Sequence, residues 1–188
     1  MERETQFIGQ SAVHADKEMA INPGQVYGQL RGTVTRDPVF DLEAVWIGAD
    51  QREQAQSLGY TVVDASTVIA THLSQIVQDN AQSLLGHEEA QKLLDGLKKT
   101  NQRLVEDLIP KLMPLSVLVK VLQNLLAEHV PVRDIRTILE VLAEYGPRNQ
   151  DTGFLTAQVR AALGRLIVQQ INGGNTELPV ITLDFSLE

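Results

Sequence analysis

Two short runs of strand character, Ala44-Val45-Trp46-Ile47 and Tyr60-Thr61-Val62-Val63, enclose a polar segment and feed into a long apolar-periodic run. That order restricts the fold more than any other feature of the chain. The first run is apolar throughout, which fits a buried strand. Asp50-Gln51-Arg52-Glu53 has capping-box spacing and opens a short helix ending near Gly59. Asp64 stands where the cap of the next helix belongs, and that helix is expected over 65–85. Its apolar positions Val68, Ile69, Leu73, Ile76, Val77, Leu84 and Leu85 keep helical spacing, and Gly86 ends it. Together with Asp37-Pro38-Val39-Phe40, this α/β junction is where a binding surface is expected, with the later helices as scaffold.

Upstream, Gln6-Phe7-Ile8-Gly9 reads as a strand end and Lys17 to Ile21 as a second extended segment. Asn22-Pro23-Gly24 is a turn, since Pro fixes φ and Gly permits positive φ. Residues 28–39, rich in Gly, Thr and Arg, are expected to be an irregular loop. Pro38 pushes Asp37 out of the α region.

Downstream the chain is helical. One helix is expected from His87 to Leu97, and a turn or two from Leu104 to Ile109, stopped by Pro110. A strongly apolar helix spans Leu115 to Ala127, and Pro131 starts the next, which ends at Tyr145-Gly146-Pro147. Asp151 or Thr152 caps a last helix to about Gln170, and Leu178 to Asp184 reads as a strand. The fold class is therefore α+β, a small α/β part followed by a compact helical bundle. Aromatics are only 4% of residues, so Leu, Val, Ile and Ala must fill the core.

Composition narrows the function. The formal net charge is -8 with no basic run, which disfavours binding to a phosphate backbone. With no cysteine, thiolate nucleophiles and Cys-bound metals are excluded. No apolar run approaches the roughly 20 residues that span a bilayer, and the N-terminus lacks a signal-peptide apolar region. The expectation is a cytoplasmic piece. His14, His72, His87 and His129 show no metal-ligand spacing, and neither a nucleophile elbow nor a phosphate-binding loop occurs. Acid pairs such as Glu88 and Glu89 diverge by about 100° on a helix and read as solvated faces. The segment Val132 to Tyr145 resembles a DNA-recognition helix in outline. Its acidic setting favours a bundle helix with Ile135, Ile138, Leu139 and Leu142 inward. Phe40, by residue type alone, reads as core.

From Met19-Ala20-Ile21-Asn22-Pro23-Gly24 and Asp37-Pro38-Val39-Phe40 onward, the chain resembles the C-terminal cytoplasmic domain of the FlhA family, the export gate of flagellar type III secretion. The likeness runs through Gly59 to Asp64, Thr67 to Leu73, Leu84 to Gln91, Val121 to Leu126, Val132 to Ile138 and Ala161 to Arg165. It implies a fragment of a larger membrane protein on the cytoplasmic face of the bacterial inner membrane. Residues 1–15 and 65–84 match a remnant of a first subdomain, 16–64 a second, 85–164 a helical third, and 165–188 the start of a fourth. It further implies a hydrophobic dimple that binds export chaperones with their substrates and helps order their secretion. Asp37, Phe40 and Thr71 match its key positions, and Val63 and Val68 its lining. An apolar dimple suits an apolar anchor from a partner helix, with Asp37 as an acceptor at the rim. Other export-apparatus components and a homo-oligomeric ring are implied as partners. No enzyme activity, cofactor, metal or nucleic acid is implied. A generic helical adapter, an injectisome export-gate paralogue and, less well supported, a DNA-binding regulator remain alternatives.

Overall fold

The computed structural model describes residues 11–173, Asn175 and Glu177. Both terminal strand expectations, at Gln6 to Gly9 and Leu178 to Asp184, lie outside the described residues. The chain forms two compact units, one up to Asp79 and one from Asn80.

The first unit is a sheet with a helix on each face. Its strands are β1 (Glu18–Ile21), β2 (Thr33–Arg36), β3 (Glu43–Ile47) and β4 (Thr61–Asp64). They lie in the order β2-β3-β1-β4, every neighbouring pair antiparallel. The segment 28–39 is thus not wholly irregular. Thr33 to Arg36 pairs with β3, Val34 opposite Val45 and Thr35 opposite Ala44. β3 and β4 run parallel on either side of β1, and the crossover between them carries α1 (Arg52–Ser57). A 3-10 turn at Ala49–Gln51 leads into α1 without a side-chain cap, so the expected capping box at Asp50 does not form. Asp50 lies inside the first turn, where a negative charge suits the helix dipole. Gly59, at φ +91, turns the chain into β4, a conformation costly for any residue with a Cβ.

Side-chain alternation assigns the faces. Ala20, Ile47 and Val62 pack with Ala55 of α1 on one face. Met19, Ala44 and Trp46 pack on the other against Ala65 and Val68 of α2 (Ala65–Asp79). Each helix packs on β4 and β1. A helix about 10 Å wide covers roughly two strands spaced about 4.8 Å apart. Beyond β3, whose Ala44, Trp46 and Ile47 are buried against these helices, the edge strand β2 exposes Thr33, Val34 and Arg36.

The helix expected over 65–85 is two. α2 stops at Asp79, Asn80 takes φ -113 and ψ 13, and α3 spans Ala81–Leu84. Asp and Asn are weak helix formers, which favours a break there. On α2, Ile69, Leu73 and Val77 are exposed rather than inward.

In the second unit the two expected helices of 87–109 join as α4 (His87–Leu108), kinked at Asn101. α5 spans Leu115–Ala127, as expected. α6 (Ile135–Tyr145) starts later than Pro131, because Asp134 supplies the cap: its carboxylate accepts the Thr137 N–H at 3.2 Å. Asp151 caps α7 (Thr152–Ala162) by accepting the Phe154 N–H at 2.7 Å. That helix breaks at Leu163, and α8 (Gly164–Asn172) ends on left-handed Gly173. α5 and α6 both pack on α7, and Leu118, Leu122, Leu125, Leu139, Leu142 and Leu155 are fully buried among them. α6 turns Ile138, Leu139 and Leu142 into this core, and Arg136 pairs with Glu140 at 2.8 Å on its outer side. Those are the features of a bundle helix.

Candidate functional site

The β2–β3 connection carries two of the expected site residues and orients them oppositely. Asp37 opens it, directly after β2 and before Pro38. Its N–H donates to the Leu42 carbonyl at 2.8 Å, closing the loop. Its Oδ2 accepts the Phe40 N–H at 2.7 Å and the Val39 N–H at 3.2 Å. This is the Asx pattern, in which a short side chain supplies the acceptor that the turn's backbone lacks. Asp41, at φ +55, reverses the chain, and Arg36 holds it by donating Nη1 to its carboxylate at 3.0 Å. The outcome is an aspartate 7% exposed and a phenylalanine 72% exposed. Phe40 is therefore not core, as residue type alone suggested. Nor does Asp37 stand open at a rim, since Oδ2 is engaged within its own turn.

Val68 is buried in the cluster with Met19, Ala44 and Trp46, and Val63, Ile21 and Val13 are half-buried against it. A concavity of about 320 Å³ lies on the same face of the sheet, lined by Met19 and Thr35 of the strands, by Asp37 and Pro38 of the turn, and by Ser11 and Ala12. The fold thus brings Asp37 alongside the cluster that holds Val63 and Val68. Thr71 is exposed on α2, its hydroxyl donating to the Thr67 carbonyl at 2.8 Å. It joins neither the cluster nor the concavity. Its neighbour His72 makes the link, with Nδ1 3.0 Å from the hydroxyl of Ser11. Met19, Thr35 and Ser11 were absent from the sequence-based site. The alternation of Met19 and Ile21 along β1 was the available signal, because it puts both on the face of Trp46.

Asp64 fixes where α2 begins. Its Oδ1 accepts from the Ser66 hydroxyl and, at 2.7 Å, from the Thr67 N–H. The Ser66 hydroxyl first, then Thr67, hold this carboxyl down at about 2, against an ordinary value of 3.8. A carboxyl lowered in the folded state stabilises the fold fully above its unfolded value and loses that contribution as pH falls through its folded value. Urea midpoints should therefore show an Asp64-dependent decline between about pH 4 and about pH 2. Asp64→Ala should lower the midpoint at neutral pH and remove that part of the decline. An acid profile identical to wild type would show that the cap contributes nothing.

Residues 4–188 match the FHIPEP family. The flagellar biosynthesis protein FlhA of Salmonella typhimurium is 51% identical over 181 residues, covering 96% of this chain and 26% of that protein. The chain thus spans about a quarter of the length of the curated relatives it matches. Among solved structures, the Chlamydia pneumoniae CdsV protein superposes with a TM-score of 0.73 at 24% identity, over 90% of this chain and 49% of that one. The nonameric EPEC SctV-C gives a TM-score of 0.64 at 25% identity, over 87% of this chain and 49% of that one.

Proposed function

The chain belongs to the FHIPEP family, and from that premise we propose that it is part of the cytoplasmic docking platform of a flagellar type III protein export gate. On this reading it binds export chaperones with their substrates and helps order their secretion, and no bond is made or broken. The observation that carries it is Phe40, 72% exposed on a turn that Asp37 holds, beside the concavity that borders the Met19–Trp46 cluster. An exposed aromatic is the kind of anchor that can dominate a protein–protein contact. On this reading Val63 and Val68 take part through the cluster that borders the concavity, and Thr71, exposed on α2 outside both, is retained as a further proposed contact.

The flagellar assignment is favoured over the injectisome one by 51% identity to a flagellar protein against 24–25% to the CdsV and SctV chains. The nonamer formed by SctV-C supports a ring as the working assembly. We place that ring at the cytoplasmic face of the inner membrane, with other export components as further partners. Within the chain we retain the division into 1–15 with 65–84, 16–64, 85–164 and 165–188 as subdomains of the larger protein.

Calorimetric titration with a purified flagellar chaperone–substrate complex tests the reading. Wild type should bind. Phe40→Ala should weaken binding by about thirtyfold or more, the equivalent of about 2 kcal/mol. Its circular dichroism should match wild type, because an exposed side chain contributes little to the core. Equal binding by a folded Phe40→Ala protein would remove the site, and no binding by wild type would remove the docking role of this part of the chain.

A further inference from the structure

The face of the sheet opposite the proposed chaperone site carries a second and larger groove. Its volume is about 780 Å³, and it lies along β2 and the start of β3. The register defines its floor. Val34 and Val45 sit opposite each other on one row, and Arg36 and Glu43 on the next. Leu30 and Tyr60 form the far wall, and the Tyr60 hydroxyl donates to the Gly28 carbonyl at 3.0 Å, holding that loop upright.

Three features of this groove point to an occupant. Val34 is 82% exposed although it lies in a strand, on the outer edge of the sheet. An edge strand with an exposed β-branched residue and no proline invites association unless something covers it. Arg36, which also lines the groove, is paired with Asp41, so Glu43 on the floor has no cationic partner among the described residues. The unit as a whole is acidic: residues 11–79 hold nine Asp and Glu against four Lys and Arg. A second copy of this acidic surface would bring like charges together, whereas a cationic partner would be attracted.

We propose that this groove docks a segment of a partner protein in which an apolar side chain is flanked by lysine or arginine. The apolar side chain lies on Val34 and Val45 between the β2 edge and Leu30, and the cation pairs with Glu43. Phe40 is not among the residues that line this groove.

The probe is a short acetylated peptide alternating lysine with valine, titrated into the full chain and followed in amide NMR spectra. Lysine–serine and glutamate–valine peptides serve as comparisons. The lysine–valine peptide should shift the amides of Leu30, Val34 to Arg36 and Glu43 to Val45. Glu43→Gln should weaken binding by about fivefold and Val34→Asp by about tenfold or more. Both substitutions are at exposed positions and should leave the rest of the spectrum unchanged. Phe40→Ala should bind the peptide as wild type does, so this result stands or falls apart from the chaperone titration. Equal binding of the lysine–serine peptide would reduce the effect to diffuse charge and overturn the proposal. So would shifts that map elsewhere, or an affinity untouched by Val34→Asp. A concentration-dependent dimer in sedimentation that Val34→Asp abolishes would make the occupant a second copy, and the proposal would fall on that result too.

Discussion

Replacing Trp46 with alanine is expected to destabilise the sheet unit by about 3–5 kcal/mol, the loss typical of truncating a buried tryptophan. Trp46 is 1% exposed and faces Met19 of β1 across the pair. The His14 ring meets it edge-on with centroids 5.5 Å apart, and Ala65 and Val68 of α2 close the cluster. Ala65 and Val68 are too short to fill the space the indole would leave. Against a total stability of about 5–15 kcal/mol for an ordinary domain, such a loss exposes the unit to frequent opening. Hydrogen exchange gives the reading unit by unit. Amides of β1, β3 and β4 should exchange about two to four orders of magnitude faster in the variant. Amides of α5, α6 and α7 should be unaffected, because their core is a separate set of buried residues. Trp46→Phe should be far milder, since the indole N–H has no acceptor among the described residues and little hydrogen bonding is lost. Unchanged protection in the strands of Trp46→Ala would show that the cluster is not what holds the sheet. Because Val63 and Val68 rest on the same cluster, chaperone binding should fail together with the strands.

The strands that could be read in advance are those whose stability comes from burial. β3 and β4 announce themselves as apolar runs because they lie against helices. β2 escaped because it exposes Thr33, Val34 and Arg36 and buries nothing fully. Its stability comes from backbone pairing to β3, which leaves no apolar period in the sequence. Helix α2 shows the converse limit. Its period correctly indicated a helix with an apolar stripe, yet Ile69, Leu73 and Val77 are exposed in this chain. Periodicity reports that a face is apolar and is silent about what lies against it. Capping chemistry decided the helix starts: Asp64, Asp134 and Asp151 all accept the N–H three residues on, whereas Asp50 does not, because the 3-10 turn begins before it. Phe40 was misjudged on type because aromatics are usually buried. Only the turn geometry, set by an aspartate three residues earlier, shows that it points out.

That geometry leads to the second large effect. Asp37 is part of the proposed docking site, and two roles for it differ in outcome. If its charge contacts the partner, removing the charge abolishes binding whatever happens to the loop. If its main work is to hold the turn, an acceptor of the same shape suffices. The structure places Oδ2 on the N–H groups of Val39 and Phe40 with the residue 7% exposed, and this favours the turn. Asp37→Ala leaves both donors without that acceptor, and hydrogen bonds to a charged group are worth about 1.5–3 kcal/mol. The loop should then relax away from the Asx conformation and carry Phe40 out of position. Chaperone–substrate binding should fall at least as far as in Phe40→Ala, with a drop in thermal stability that Phe40→Ala does not show. Asp37→Asn keeps a carbonyl oxygen at the same place and should retain binding within about threefold of wild type, because the acceptor rather than the charge shapes the turn. Calorimetry on the two variants separates the roles. A folded Asp37→Asn protein that binds as poorly as Asp37→Ala would assign the charge to the interface. Near-normal binding by Asp37→Ala would mean that Phe40 keeps its place without the aspartate, and the hydrogen bonds at 2.7 and 3.2 Å would be incidental to docking.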